Sequence, residues 1–210
     1  MRYLGDTPPQ KFDLGKDDRA ELKGQEPAVI WFTGLPGAGK STLANSLEKL
    51  LHKDGRHTMV LDGDNVRRGL NRDLGFEASD RLENVRRVAH VAQLMVDAGL
   101  IVIVALISPS RSERRWAREL VGSSQFIEVF VDTPLKECIR RDPKGHYARA
   151  LAGKIPDFTG ISSNYEPPED PEIRIDTMSG EPLHLALQIM KYLAANQLLT
   201  LRSPRSRAFV

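Results

Sequence analysis

Cysteine is all but missing: Cys138 is the only one in 210 residues. A disulfide framework within the chain is therefore excluded, and a reducing, cytoplasmic setting is expected. Cys138 lies in "PLKECIRR", a helical stretch in which a packed, inert thiol is the expectation. The N-terminal "MRYLGDTPPQKFDLGKDD" has no apolar core segment, which argues against a secretory signal. Long hydrophobic runs are missing too. The most apolar stretch, "LIVIVALI" at 100–107, falls far short of the ~20 residues that span a bilayer, so no membrane partner is expected. A formal charge of only +2 argues against nucleic acid as the main partner. His52, His57, His90, His146 and His184 have no metal-ligand spacing with Cys138, so no structural zinc is expected. What remains, 40% hydrophobic and 28% charged residues, suits one soluble α/β domain of ordinary size.

Five strand-like runs alternate with helical ones: "AVIWFTG", "HTMVLDGDN", "LIVIVALIS", "FIEVFVDT" and "EIRIDT". Leu43, Leu47, Leu50 and Leu51 recur at helical spacing after the first, with Gly55 as a stop. The spacing predicts a helix over 80–98, with Leu82, Val85, Val88 or Ala89, Ala92 and Met95 on one face and Gly99 at its end. "PSRSERRWARELVG" predicts a charged helix that turns Trp116 and Leu120 to the core. Pro134 opens the short helix of Cys138, and "EPLHLALQIMKYLAAN" closes the series. Such alternation implies a five-stranded parallel sheet covered on both faces: α/β, a P-loop NTPase-type three-layer α/β/α fold. The division expected is a partly disordered extension over 1–24, a P-loop kinase domain over 25–198 and a tail over 199–210. Residues 142–171 break the rhythm, with five prolines and three glycines. Phe158, Tyr165, Lys144, Arg149 and Lys154 within this stretch mark it as a lid loop rather than a structureless insertion.

"TGLPGAGKST" carries the strongest signal. Gly34, Gly39, Lys40 and Ser41 satisfy the G-x-x-x-x-G-K-[ST] spacing between an apolar strand and an amphipathic helix. Glycines let backbone N–H groups turn around phosphates, and the helix N-terminus adds its positive end. Lys40 is expected on the β- and γ-phosphates of ATP and Ser41 on Mg²⁺. Asp62 and Asp64 bracket a glycine after the second strand. One would hold Mg²⁺ through water and the other accept a proton from an attacking hydroxyl. Arg67 and Arg81 flank Phe76, a set suited to an acceptor with a planar base and an anionic group. A motor ATPase needs a long coupling region and a GTPase the guanine-reading "NKxD". Neither is present, which makes a small-molecule kinase the better class.

Taken in order, "WFTGLPGAGKST", "LDGDNVR", "GLNRDLGF", "DR.EN.RR", "LISP.R", "FIEVFVDTPL", "RDPKG" and "FTGI...YE.P" resemble the adenylyl-sulfate kinase family over about 22–193. That resemblance implies phosphorylation of the 3′-hydroxyl of adenosine 5′-phosphosulfate by MgATP, within sulfate activation. It implies ATP binding by Gly34, Leu35, Pro36, Gly37, Ala38, Gly39, Lys40, Ser41 and Thr42, with Arg141 near the ATP base. Asp62 and Asp64 would stand beside the 3′-hydroxyl and the metal, Ser41 and Asp64 being the metal pair. Arg67, Arg81 and Asn84 would contact the phosphosulfate and ribose, and Phe76 and Phe158 would sandwich the acceptor adenine. Ile107 and Ser108 would line that pocket, with Lys144 on the lid. A phosphorylated intermediate is described for the family at Ser108. Here no base is placed beside it and a P-loop supports direct in-line transfer, so direct transfer is expected.

Three departures border the acceptor pocket or lid: Ser110 where the family has an aromatic, Arg68 where it has histidine, and Leu151 in place of an arginine. They bear on acceptor affinity more than on the reaction. The resemblance also implies a homodimer. "RAELKGQEPAVIWFTG" resembles kinase domains fused behind a sulfate adenylyltransferase large subunit, which implies association with such an enzyme. This sequence starts at its own methionine, and no such domain is expected within it. Two other readings stay open: a P-loop kinase with a different small acceptor, and a nucleotide-binding regulatory domain of a sulfate-activating complex. Lys40, Ser41, Asp62 and Asp64 weigh against the second.

Overall fold

The computed structural model describes residues 10 and 12–199. Five parallel strands, β1 (Ala28–Thr33), β2 (Thr58–Asp62), β3 (Ile101–Ala105), β4 (Phe126–Asp132) and β5 (Ile173–Asp176), form one sheet in the order β2-β3-β1-β4-β5. β1 is central and wholly buried, and its side chains alternate between two cores. Ala28, Ile30 and Phe32 enter one cluster, and Val29 and Trp31 the other. β3 does the same, with Ile101, Ile103 and Ala105 on one face and Val102 and Val104 on the other. Both faces are therefore dry, and a strand covered twice reads as an unbroken apolar run. The edge strands β2 and β5 are only partly buried, β5 alternating buried and exposed residues, which is why their runs are shorter and more mixed.

α2 (Lys40–Lys53) and α8 (Pro182–Ala195) cover one face, α2 burying Leu43, Ala44, Leu47 and Leu51 and α8 burying Leu185, Ala186, Ile189 and Leu193. The other face is covered by α4 (Ala78–Asp97) and α5 (Arg111–Val121), with Val85, Val88, Ala89, Ala92, Val96, Ala117 and Val121 buried there. Two expectations fail on this face. Trp116 is 37% exposed and stands edge-on to His90 at 5.6 Å, while Arg114, Ala117 and Val121 are the buried positions of α5. One residue turns a helix by 100°, so burying 117 pushes 116 to the rim. Leu82 is 53% exposed, and Asn84 is buried on α4, accepting a bond from Asn71 Nδ2 at 3.0 Å. Cys138 is buried as expected, on α6 (Leu135–Arg141), where burial pushes its thiol above the usual value.

Within the segment set apart as an extension, α1 (Lys16–Lys23) buries Ala20, and Arg19 Nη1 donates to the Asp97 carbonyl at 3.1 Å. Gln25 then ties the end of α4 to the start of β2, donating to the carbonyls of Gly99 at 2.8 Å and His57 at 3.0 Å. The expectations for residues 1–9, 11 and 200–210 lie outside the described residues. Residues 142–171 contain a helix that periodicity did not announce, α7 (His146–Leu151), with Tyr147 and Ala150 buried. Asp142 accepts bonds from the Tyr147 and Ala148 amides at 3.0 Å each, supplying partners that the first turn of a helix lacks.

Candidate active site

All functional loops lie at the carboxyl end of the sheet, where neighbouring connections from β1 diverge and leave a crevice. The glycine loop runs from β1 into α2. Gly34 has φ 153°, and a Cβ there would come within 2.6 Å of the Val131 carbonyl, so the loop passes against β4 only as glycine. Lys40 turns back into the loop and donates to the carbonyls of Gly34 at 2.8 Å and Leu35 at 2.7 Å. Burial lowers its pKa to about 8, the costly outcome for an ammonium that has dipoles but no counter-ion in contact. The loop is braced from outside. Thr133 Oγ1 donates to the Ala38 carbonyl at 2.8 Å, and Tyr147 Oη donates to the Pro36 carbonyl at 2.9 Å. Arg141 Nη1 reaches Ala38 O at 3.3 Å and is steadied by Glu137, whose carboxyl Arg140 and Arg141 hold down at about 2. Thr42 is exposed at the start of α2.

The acidic pair is split. Ser41 Oγ donates to Asp62 Oδ2 at 2.6 Å, so the loop hydroxyl meets Asp62 and not Asp64. Asp62 also caps the short helix α3 (Gly63–Val66), accepting from the Asp64 amide at 3.0 Å. That turn swings the Asp64 carboxylate out to an ion pair with Lys144 from the 142–171 segment. Hard oxygen donors and a strong negative charge thus converge beside the loop's lysine. This set suits a magnesium ion that keeps several waters and shares the remaining ligation with phosphate.

Across the crevice, Arg67 lies over the Phe76 ring at 4.6 Å and donates to the carbonyls of Gly75 at 2.8 Å and Leu74 at 3.2 Å. Phe76 is 66% exposed, its ring open to the solvent side. Arg81 bridges α4 to the 142–171 segment through the Asp157 carbonyl at 2.8 Å and Ser163 Oγ at 3.1 Å. Beside it is a cleft of about 190 Å³ lined by Arg81, Pro109, Ser110, Glu113, Ser163 and Glu166. A larger hollow of about 260 Å³, near Glu48, His52 and Thr58, sits at the opposite end of β2 from the loop. Phe158 packs edge-on against Tyr147 at 5.0 Å and His146 at 6.3 Å. Asn84 is buried on α4 and paired with Asn71.

Ile107 and Ser108 follow β3. Ser108 is 2% exposed with φ 38°, its Oγ accepting from Trp31 Nε1 at 3.0 Å. Among the described residues no histidine or carboxylate bonds to that hydroxyl, so it lacks the adjacent base a nucleophilic serine needs. Trp31, Tyr147, Glu137 and Asp142 were not singled out from sequence for the site. Trp31 and Tyr147 reach the Ser108 hydroxyl and the Pro36 carbonyl from distant elements, while Glu137 and Asp142 hold the arginines of α6 and the first amides of α7, and none of these bonds leaves a motif in the sequence.

A model of the family described as adenylylsulphate kinase matches residues 26–176. The bifunctional enzyme NodQ of Rhizobium tropici is 65% identical over 184 residues, 88% of this chain and 29% of its own. The chain thus spans under a third of the bifunctional relatives it matches. The adenylyl-sulfate kinase of Pseudomonas aeruginosa is 56% identical over 187 residues, covering 89% of this chain and 95% of that one. The structure of the Mycobacterium tuberculosis APS kinase CysC in complex with AMPPNP and APS superposes with a TM-score of 0.78 at 46% identity, over 81% of this chain and 99% of that one. No helix among the described residues is long and apolar enough to cross a membrane. With the family model covering most of its length and a full-length relative at 56% identity, this chain belongs to the adenylyl-sulfate kinase family.

Proposed function

We propose that the chain transfers the γ-phosphate of MgATP to the 3′-hydroxyl of adenosine 5′-phosphosulfate. The observation that carries this reading is the meeting of three elements at one point: Ser41 on Asp62, Asp64 on Lys144, and Lys40 behind them in the loop. One end of the crevice is built for a triphosphate, and the other, with Arg67, Phe76, Arg81 and Phe158, for a planar base bearing anionic groups.

Residues 34–42 cradle the donor phosphates with backbone N–H groups, and Arg141 borders the base. Lys40 exchanges its two loop carbonyls for phosphate oxygens, where its charge answers the charge that develops in transfer. Magnesium, when bound, neutralises phosphate charge and orients the transferred group. The residues that would hold it are Ser41 and Asp62, a shift from the pairing of Ser41 with Asp64 expected from sequence. Asp64 is left to orient the acceptor hydroxyl and take its proton, with Lys144 of the lid paired to its carboxylate. Asn84, Ile107 and Ser108 line the acceptor side, with Ser108 as a wall residue rather than a phosphate carrier.

Residues 142–171 are the lid within a kinase domain spanning 25–198. Its α7 hinge docks on the glycine loop through Tyr147, so closing the lid and ordering the loop are one event. As partners we propose a second copy of the chain and a sulfate adenylyltransferase. The second is supported by relatives described as bifunctional, of which this chain matches less than a third. The lone reduced thiol is consistent with a cytoplasmic protein. A coupled ADP-release assay with adenosine 5′-phosphosulfate, AMP, shikimate and gluconate as acceptors tests the reading. Turnover is expected with the first alone, and turnover with none, or with a sugar acid, would overturn it.

A further inference from the structure

Behind the acceptor pocket lies a buried cluster that the chemistry does not use. Arg114 on α5 is 2% exposed, and its guanidinium commits all three nitrogens. Nε donates to Glu128 Oε1 at 2.6 Å, Nη1 to the Ser108 carbonyl at 2.6 Å, and Nη2 to the Glu166 carbonyl at 2.7 Å. The three acceptors belong to β4, to the turn after β3, and to the arm by which the lid returns to the sheet. That arm is tied again to the same turn: the Glu166 amide donates to Pro109 O at 2.9 Å, and the Arg111 amide to Glu166 Oε2 at 2.8 Å.

Thr33, the residue just before the glycine loop, closes the circuit. Its Oγ1 lies 2.8 Å from the Ile107 carbonyl and 3.0 Å from Tyr165 Oη. A threonine hydroxyl has one proton, and Ile107 O, which can only accept, takes it; Tyr165 is then the donor to Thr33. Burial raises the Tyr165 pKa to about 12, so this proton stays in place at any working pH. The Tyr165 ring stacks on Phe130 at 6.2 Å, which fixes its approach.

Stability alone is a poor explanation for this cluster. A buried arginine–glutamate pair usually does no better than well-packed apolar residues of the same volume. The backbone of Ser108, at φ 38°, is in a left-handed conformation that persists only where its surroundings over-determine it. Arg114 on its carbonyl and Trp31 on its hydroxyl supply that constraint from two sides.

We propose that Arg114 is a positioning residue which, with the Tyr165–Thr33 hydrogen bond, clamps the Ile107–Ser108 turn and the lid's return arm to the base of the glycine loop, and so sets where the acceptor sits relative to the donor phosphate. Lysine cannot replace it, because one ammonium cannot serve three acceptors in a fixed planar fork. Arg114, Tyr165 and Thr33 are not among the residues assigned above to either nucleotide. It rests on the assignment above of the Arg67–Phe158 side to the acceptor.

Arg114→Lys, Tyr165→Phe and the double variant test it. In each, ADP affinity by calorimetry is expected within about twofold of wild type. The adenosine 5′-phosphosulfate KM is expected to rise about tenfold or more in Arg114→Lys and about threefold in Tyr165→Phe, from loss of hydrogen bonds with a charged and a neutral donor respectively. The double variant is expected to fall short of the product of the single effects, as coupled sites do. Amide deuterium exchange should quicken at 106–110 and 163–167 and stay unchanged in α2. Equal losses of ADP and acceptor affinity, or a lower melting temperature with unchanged acceptor KM and exchange, would overturn the clamp. If Arg114→Lys does not fold, Tyr165→Phe decides by the same criteria. Failure of the wild type to use this acceptor refutes the proposed function instead, and the exchange pattern then still judges the clamp.

Discussion

Lys40 is where burial and charge meet most directly. Its folded pKa of about 8 lies below the ordinary 10.5, so the unfolded chain holds the extra proton between these values. Stability of the ligand-free protein should therefore rise as pH climbs from 8 towards 10.5 and be flat below 8. Nucleotide reverses the sign, because phosphate favours the charged lysine. ADP binding should take up a proton near pH 8 and weaken as pH rises above it, by up to about tenfold per pH unit. Calorimetry in buffers of different ionisation enthalpy reads both effects, and a pH-independent affinity from 7 to 9 would refute the assignment. Asp64→Asn removes the proton acceptor while leaving the loop intact. Turnover should fall by about 10²–10⁴-fold with ADP affinity retained, and turnover within a few-fold of wild type would count against a base at this position. Ser108→Ala should keep substantial activity, since the hydroxyl's partner is the Trp31 indole. Wild-type transfer should invert configuration at phosphorus; net retention, with Ser108→Ala inactive, would require the covalent route.

Among the elements, the lid shows how an irregular composition conceals order. Residues 142–171 lack the repeating apolar pattern by which helices are recognised, yet α7 forms because Asp142 supplies acceptors to its first amides and the glycine loop receives the Tyr147 hydroxyl. Phe158, beyond this helix, packs edge-on against its Tyr147, while Phe76 lies under Arg67. Replacing either ring by alanine should raise the acceptor KM by the equivalent of about 1–3 kcal/mol, with ATP affinity little changed. Phe158→Ala should also lower the melting temperature, because its ring packs against the buried cluster and Phe76 is exposed. A loss of ATP binding with acceptor binding intact would break the sandwich assignment. α5 offers the opposite lesson. Its apolar residues pointed Trp116 inward, but the helix turns an arginine to the interior, since Glu128 on β4 waits there as its partner.

The whole molecule depends on two cores separated by one sheet, and the core between α2 and the sheet also aims the glycine loop. Leu47 is fully buried in it. Leu47→Ala should cost about 2–5 kcal/mol, as large-to-small changes in close-packed interiors do. At this chain length that amounts to a fall of roughly 2–4 °C in Tm for each kcal/mol. ADP at a hundredfold excess over its Kd should restore about 2.7 kcal/mol, provided the loop at the head of α2 still forms. A melt that drops as expected but gains nothing from ADP would mean that the cavity had disturbed the loop.

The strand count, the three layers and the glycine loop were legible in the residues, because each follows from a period or spacing that local sterics enforce. Unbroken apolar runs mean strands buried on both faces, and G-x-x-x-x-G-K-S between strand and helix means a phosphate cradle. The order β2-β3-β1-β4-β5 and the choice of Asp62 over Asp64 beside Ser41 were not legible. Nor was the burial of Arg114. Each of these depends on which distant groups meet: a carboxylate pair two residues apart looks symmetric along the chain, until the cap of α3 turns one member to the loop and the other to Lys144. Charged side chains are read as surface in any one-dimensional pattern, and only a partner arriving from another strand makes their burial affordable.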